Sequence, residues 1–176
     1  MATDLHVVGL TGGIAVGKST AARCLREAGL PVIDADALGH MVLAPDGAAY
    51  PRVLDEFGAR ILGEDGATID RQKLGGLVFD DPERRAALEA ITHPAIAELA
   101  GRGLDLVRER GEPIAIYEAA LIVETGLHEG LDALVVVTCS VARQLDRLVE
   151  RDGLNRKAAA ARIASQYPEI GRASCR

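Results

Sequence analysis

Leu5-His6-Val7-Val8-Gly9-Leu10-Thr11-Gly12-Gly13-Ile14-Ala15-Val16-Gly17-Lys18-Ser19-Thr20 is the stretch that decides the fold. The apolar run Leu5 to Leu10 reads as a buried strand ended by Thr11-Gly12-Gly13, and a helical pattern follows through Ala21, Ala22, Leu25 and Ala28 to Gly29. Between them, Gly12 to Ser19 match G-x-x-x-x-G-K-[ST], in the strand–loop–helix context that a phosphate loop needs. The glycines let successive backbone N–H groups turn inward on phosphate oxygens, the helix starting near Gly17 adds its positive dipole end, and Lys18 reaches the outer phosphates. Gly12, Gly13, Ile14, Ala15, Val16, Gly17, Lys18, Ser19 and Thr20 are therefore the candidate phosphate-binding residues, with the Ser19 hydroxyl as a candidate Mg²⁺ ligand. A glycine-rich turn without a ligand is the plainer alternative, and the agreement of motif with context favours phosphate.

Working outward, Pro31-Val32-Ile33-Asp34 restarts as a strand at the spacing of a parallel βαβ unit. Pro113-Ile114-Ala115-Ile116-Tyr117 and Ala133-Leu134-Val135-Val136-Val137 are near-continuous apolar runs, as parallel strands covered on both faces should be. The fold class expected is α/β, a P-loop NTPase-like parallel sheet flanked by helices. Between 44 and 111 only helical signals recur: Tyr50 to Phe57, Arg71 to Phe79, Pro82 to Ile91, and Pro94 to about Val107. Proline suits the first turn of a helix, so Pro94 predicts two helices meeting at a bend. A stripe of Val141, Leu145 and Leu148, then Ala158 to Ser165, predicts two further helices.

Composition narrows the function. The chain has 176 residues, 48% apolar and 26% charged, which suits one domain with an insertion. A formal net charge of -6 argues against a broad footprint for DNA or RNA, so a polyanion must be held locally. Cys24, Cys139 and Cys175 form no C-x-x-C pair, which suggests neither a disulfide framework nor a zinc site and favours a reducing, cytoplasmic setting. The N-terminal apolar run is short, lacks a basic flank and enters the glycines directly, so no membrane span or signal peptide is expected.

The groups that would meet an acceptor are less distinctive. There is no guanine-reading N-K-x-D, and no apolar strand ends in a clear aspartate for Mg²⁺. Asp34-Ala35-Asp36 ends the second strand, and if the chain stays extended both carboxylates lie on one side, where one could orient a hydroxyl and take its proton. Asp36 as the N-cap of a helix Ala37 to Val42 is the alternative. Arg143, Arg147 and Arg151 share a helix face and could clamp phosphates, or could be a solvated surface with Asp146 and Glu150 as partners. His93 reads as a loop residue before proline or as part of an acceptor wall. Glu118 and Glu124, near the end of the third strand, read by default as solvated, with a magnesium or substrate role as the other option.

Taken together these residues resemble the dephospho-CoA kinase family, over Leu5 to about Gln166. The resemblance rests on Thr11-Gly12-Gly13-Ile14, Gly17-Lys18-Ser19-Thr20 and Val32-Ile33-Asp34-Ala35-Asp36, then on His93-Pro94, on Leu121-Ile122-Val123-Glu124-Thr125-Gly126, and on Gln144 with Arg147, Arg151 and Asp152. It implies ATP-dependent phosphorylation of the ribose 3′-hydroxyl of dephospho-CoA, the last step of CoA synthesis. ATP is then the co-substrate with Mg²⁺, Asp36 the base, and Lys18, Arg147 and Arg151 the cations on the phosphates; Asp34, Asp36, His93 and, from its position at the strand end, Glu118 are the candidate acceptor-side residues. It implies one kinase domain over 1–168: core 1–43 and 112–140, acceptor-binding insertion 44–111, lid 141–157 and helix 158–166. A monomer or weak oligomer is expected, without nucleic acid or membrane partners.

Two departures from the family pattern stand out. Ala120 replaces the usual proline. Family members continue past the Gln166 position into a final strand, an adenine-side loop and a closing helix, whereas Glu169 to Arg176 resembles a translated sequencing adapter on a truncated gene, a non-native tail. On that expectation the adenine pocket is incomplete and Leu134 to Val137 form an exposed sheet edge prone to pairing. The rival readings are a P-loop kinase for another small acceptor, such as a nucleotide or shikimate, and a non-catalytic nucleotide-binding fragment.

Overall fold

The computed structural model describes residues 4–166, so the tail reading for 169–176 lies outside the described residues. The chain forms two compact units, one up to Asp34 and from Leu106 on, the other Ala35–Asp105.

The first unit is built on four strands, β1 (His6–Gly12), β2 (Val32–Asp34), β3 (Ile114–Glu118) and β4 (Ala133–Val137). All pair in parallel, in the order β2-β3-β1-β4. The helix α1 (Lys18–Glu27) follows β1, and α6 (Val141–Asp152) and α7 (Arg156–Ala164) follow β4. Leu10, Ala22 and Ile116 form the core between sheet and α1, with Val8, Leu25, Leu30, Val32 and Val137 around them. This is the parallel α/β architecture expected, and it puts the loop after β1 at the carboxyl ends of the strands, where connections leave to opposite sides. Among the described residues β4 is an edge strand, with Val135 48% exposed.

The second unit contains α2 (Ala35–Val42), α3 (Tyr50–Phe57), α4 (Arg71–Val78) and most of α5 (Pro82–Glu109). Its own core gathers Val42, Val53, Phe57, Ile61, Ile69, Leu74 and Ile91. Asp70 caps α4, its carboxylate accepting from the Gln72 and Lys73 N–H groups.

One expectation fails in this unit. Instead of two helices meeting at Pro94, α5 runs continuously for 28 residues with Pro94 inside it. Proline forgoes one backbone bond and crowds the preceding turn, a cost of roughly 3 kcal/mol in a helix interior. Packing of Ile91, Ala95, Ile96 and Leu99 on the same core, on both sides of Pro94, holds the helix through it.

Candidate functional site

The loop takes its shape from three backbone features. β1 extends to Gly12, two residues beyond the predicted strand, because Gly12 is still in register with Val137 on β4. A Cβ at Gly12 would lie 2.6 Å from the Val137 carbonyl oxygen, so only glycine lets the strands stay this close as the chain turns. Gly17 caps α1 with φ 105°, and Ala15 carries φ 58°, a left-handed conformation that non-glycine residues seldom adopt. Strain of that kind gathers at ligand-binding turns.

Helix α1 therefore begins at Lys18, with Ser19 and Thr20 exposed in its first turn. The Lys18 ammonium bonds Glu118 Oε1 at 2.9 Å. Glu118 is only 2% exposed, so the expectation that it is solvated is overturned: strand β3 lies inside the sheet, and its last residue is covered from both sides. Arg26, in the last turn of α1, reaches the other oxygen, Nη2 donating to Oε2 at 3.2 Å, and lies 3.6 Å from Asp34 Oδ2. Asp34 and Glu118 are direct register partners on β2 and β3.

Asp34 and Asp36 do not share one side of an extended chain. The strand stops at Asp34 and α2 starts at Ala35, so Asp36 is the second residue of a helix, inside it rather than capping it. Asp36 and His93 belong to the second unit, both exposed, His93 within α5 rather than in a loop.

Of the candidate arginines, Arg147 reaches the loop: its Nη1 donates to the Ala15 carbonyl at 2.9 Å. Arg151 does not. It forks onto the neighbouring Asp152, at 2.7 and 3.1 Å, which holds that carboxyl below the usual carboxylate range and raises the guanidinium. Arg162 on α7 joins the same carboxylate at 3.2 Å and ties α7 to α6. Asp146 pairs with Arg156, not with Arg143.

Sequence reasoning gave no role to Arg26 or to the Gln166 side chain. Gln166 Oε1 accepts the Ile14 N–H at 2.6 Å. Nothing in local sequence pattern announces either contact, since each spans more than 90 residues or depends on where a helix ends. Ala120, the departure from family pattern, has its carbonyl held by the buried Thr11 hydroxyl at 3.2 Å, which fixes the turn after β3.

The donor set suits a nucleotide with Mg²⁺. An oxygen acceptor already sits on a loop amide in the form of Gln166 Oε1, which is where a phosphate oxygen could bind. Mg²⁺ favours one or two hard oxygen ligands plus phosphates, and the exposed Ser19 hydroxyl in the first turn of α1 is a donor of that class. Among the described residues no helix is long and apolar enough to cross a membrane.

A parallel sheet with a strand–phosphate-loop–helix unit, whose lysine is held by a buried carboxylate, defines a P-loop phosphotransferase architecture. The CoaE family model, described as dephospho-CoA kinase, matches residues 6–175, and the chain belongs to this family. It is 45% identical to the dephospho-CoA kinase of Geobacter sulfurreducens over 93% of this chain and 83% of that protein. To the enzyme of Anaeromyxobacter dehalogenans it is 46% identical, over 93% of this chain and 77% of that protein. Among solved structures, a Thermus thermophilus protein superposes with a TM-score of 0.83 at 33% identity, over 97% of this chain and 84% of that one. The dephospho-CoA kinase of Campylobacter jejuni gives 0.64 at 28% identity, over 92% and 80%.

Proposed function

We propose that this protein transfers the γ-phosphoryl group of ATP to the ribose 3′-hydroxyl of dephospho-CoA. Family membership gives the reaction, and the observation that carries the reading to this chain is the Lys18–Glu118 pair. The phosphate-loop lysine is held at the carboxyl ends of the strands, within reach of incoming phosphates. Bound Mg²⁺ would neutralise phosphate charge, and Ser19 is the residue to ligate it.

The chain's own groups then divide the work. Backbone N–H groups from Gly13 to Thr20 bind phosphate oxygens, with Gln166 yielding the Ile14 amide. Lys18 moves from Glu118 to the outer phosphates. Arg147, already on the loop through Ala15, adds positive charge where the transferred group passes. Arg151 joins it only by leaving Asp152. Asp36 accepts the acceptor hydroxyl's proton, and His93 with Asp34 contributes to acceptor binding. We place acceptor binding in the helical insertion and the lid function in the α6 segment.

ADP release coupled to a reporter enzyme, with dephospho-CoA as acceptor, tests this directly. Acceptor-dependent release, with phosphate found at the 3′ position of the product, is the expected result. Turnover with a nucleoside or shikimate but not with dephospho-CoA would overturn the assignment. So would nucleotide binding with no acceptor-dependent release.

A further inference from the structure

The first unit contains a four-membered charge cluster of which the reaction as described uses only part. Asp34 and Glu118 end adjacent parallel strands in direct register, so their side chains leave the same face of the sheet about 5 Å apart. Two carboxylates so placed repel each other, and Glu118, 2% exposed, has little water to soften the repulsion. Lys18 neutralises one oxygen of Glu118 at 2.9 Å, and Arg26 takes the other at 3.2 Å while standing 3.6 Å from Asp34. The guanidinium is 43% exposed at the end of α1, whereas Lys18, at its start, is 12% exposed.

The cluster has a consequence for catalysis. Lys18 must leave Glu118 to reach the phosphates, and its departure removes a cation from a buried carboxylate. The cost of that step falls on nucleotide affinity unless another cation stays behind. Resting on the kinase reading above, we propose that Arg26 is a positioning residue for Lys18: by remaining on Glu118 and Asp34 it keeps the carboxylate pair compensated and releases the lysine to the nucleotide. Its guanidinium stays charged at any working pH, and one nitrogen, Nη2, faces both carboxylates. Without it, Glu118 would depend on Lys18 alone and would hold the ammonium back.

The test is MgATP affinity by calorimetry, with KM and kcat alongside, for the wild type, Arg26→Ala, Arg26→Lys, Glu118→Gln and the double variant Arg26→Ala/Glu118→Gln. Arg26→Ala should weaken MgATP by about tenfold or more, the scale of one charged hydrogen bond, chiefly in KM for ATP. Arg26→Lys should recover most of the loss. In the Glu118→Gln background, where no buried charge retains Lys18, removing Arg26 should change affinity less than twofold. An equal loss in both backgrounds would show that Arg26 acts on the nucleotide or the fold directly and would overturn the proposal. Unchanged affinity in Arg26→Ala would do the same. If Arg26→Ala does not fold, Arg26→Gln, which keeps most of the side chain and removes its charge, takes its place in both backgrounds with the same expected and overturning outcomes. A wild type and an Arg26→Ala variant that bind MgATP equally well overturn only this role; a wild type that binds no MgATP overturns the kinase reading itself, and this role with it.

Discussion

Lys18 and Glu118 show how much a single buried contact carries. With its side chain 3% exposed, Glu118 relies on Lys18 and Arg26 for compensation, and leaving a buried charge short of a partner costs on the order of 1–3 kcal/mol or more. Lys18→Ala should therefore lose both nucleotide affinity and stability, and the two losses are separable. Adding Glu118→Gln to Lys18→Ala should restore most of the urea midpoint and none of the ADP affinity, as read by chemical unfolding and by ADP titration of the same samples. What the sequence makes legible is set locally: Gly12 and Gly17, dictated by backbone geometry, and the start of α1 at Lys18, directly after the loop. Glu118 reads by default as solvated, and its burial departs from that default because strand order, which local pattern does not report, places β3 inside the sheet. Arg26 was invisible for the same reason, since its partners come from two different strands.

The elements themselves were mostly readable, because periodicity and end signals act within a dozen residues. Tyr50–Phe57 and Ala133–Val137 appear with the expected bounds. The failures come from tertiary packing. Pro94 reads as a helix start, yet apolar side chains on both of its flanks hold α5 straight through it. Helix α2 begins at Ala35, which takes Asp36 out of the extended geometry assumed for the Asp34–Asp36 pair. Turns can be read more finely once seen. The bend that joins Leu62 to its bridge partner Ile69 is closed by Asp65, whose carboxylate accepts from the Ala67 and Thr68 N–H groups at 3.0 and 2.9 Å and from the Thr68 hydroxyl. These bonds, the hydroxyl's foremost, lower its pKa from 3.8 to about 2. A carboxyl whose folded pKa lies below its unfolded one stabilises the fold fully above the unfolded value, and that contribution disappears as pH falls through the folded value. Asp65→Asn should accordingly lower the urea midpoint at pH 6, and the gap from wild type should narrow steadily between pH 4 and pH 2. A gap independent of pH would show that the turn is held by shape rather than by the charge.

At the scale of the whole chain, the two units have separate cores and separate chemical inventories. The phosphate loop, Lys18, Arg26, Glu118 and Arg147 belong to the first, and Asp36 and His93 to the second. Nucleotide binding should then be a property of the first unit's residues, and proton removal from the acceptor a property of Asp36. Asp36→Asn distinguishes these assignments, because the amide keeps the side chain's size and removes its capacity as a base. Acceptor-dependent turnover should fall by roughly 10²-fold or more. ADP should bind as it does to the wild type, and at a hundred times its Kd should stabilise the variant by the same ~2.7 kcal/mol that mass action predicts. Thermal unfolding with and without ADP, next to the coupled assay, reads both quantities on one preparation. Parallel loss of ADP stabilisation and turnover would instead make Asp36 part of the nucleotide site, and the proton would have to go to another carboxylate, with Asp34 at the end of β2 the first to test.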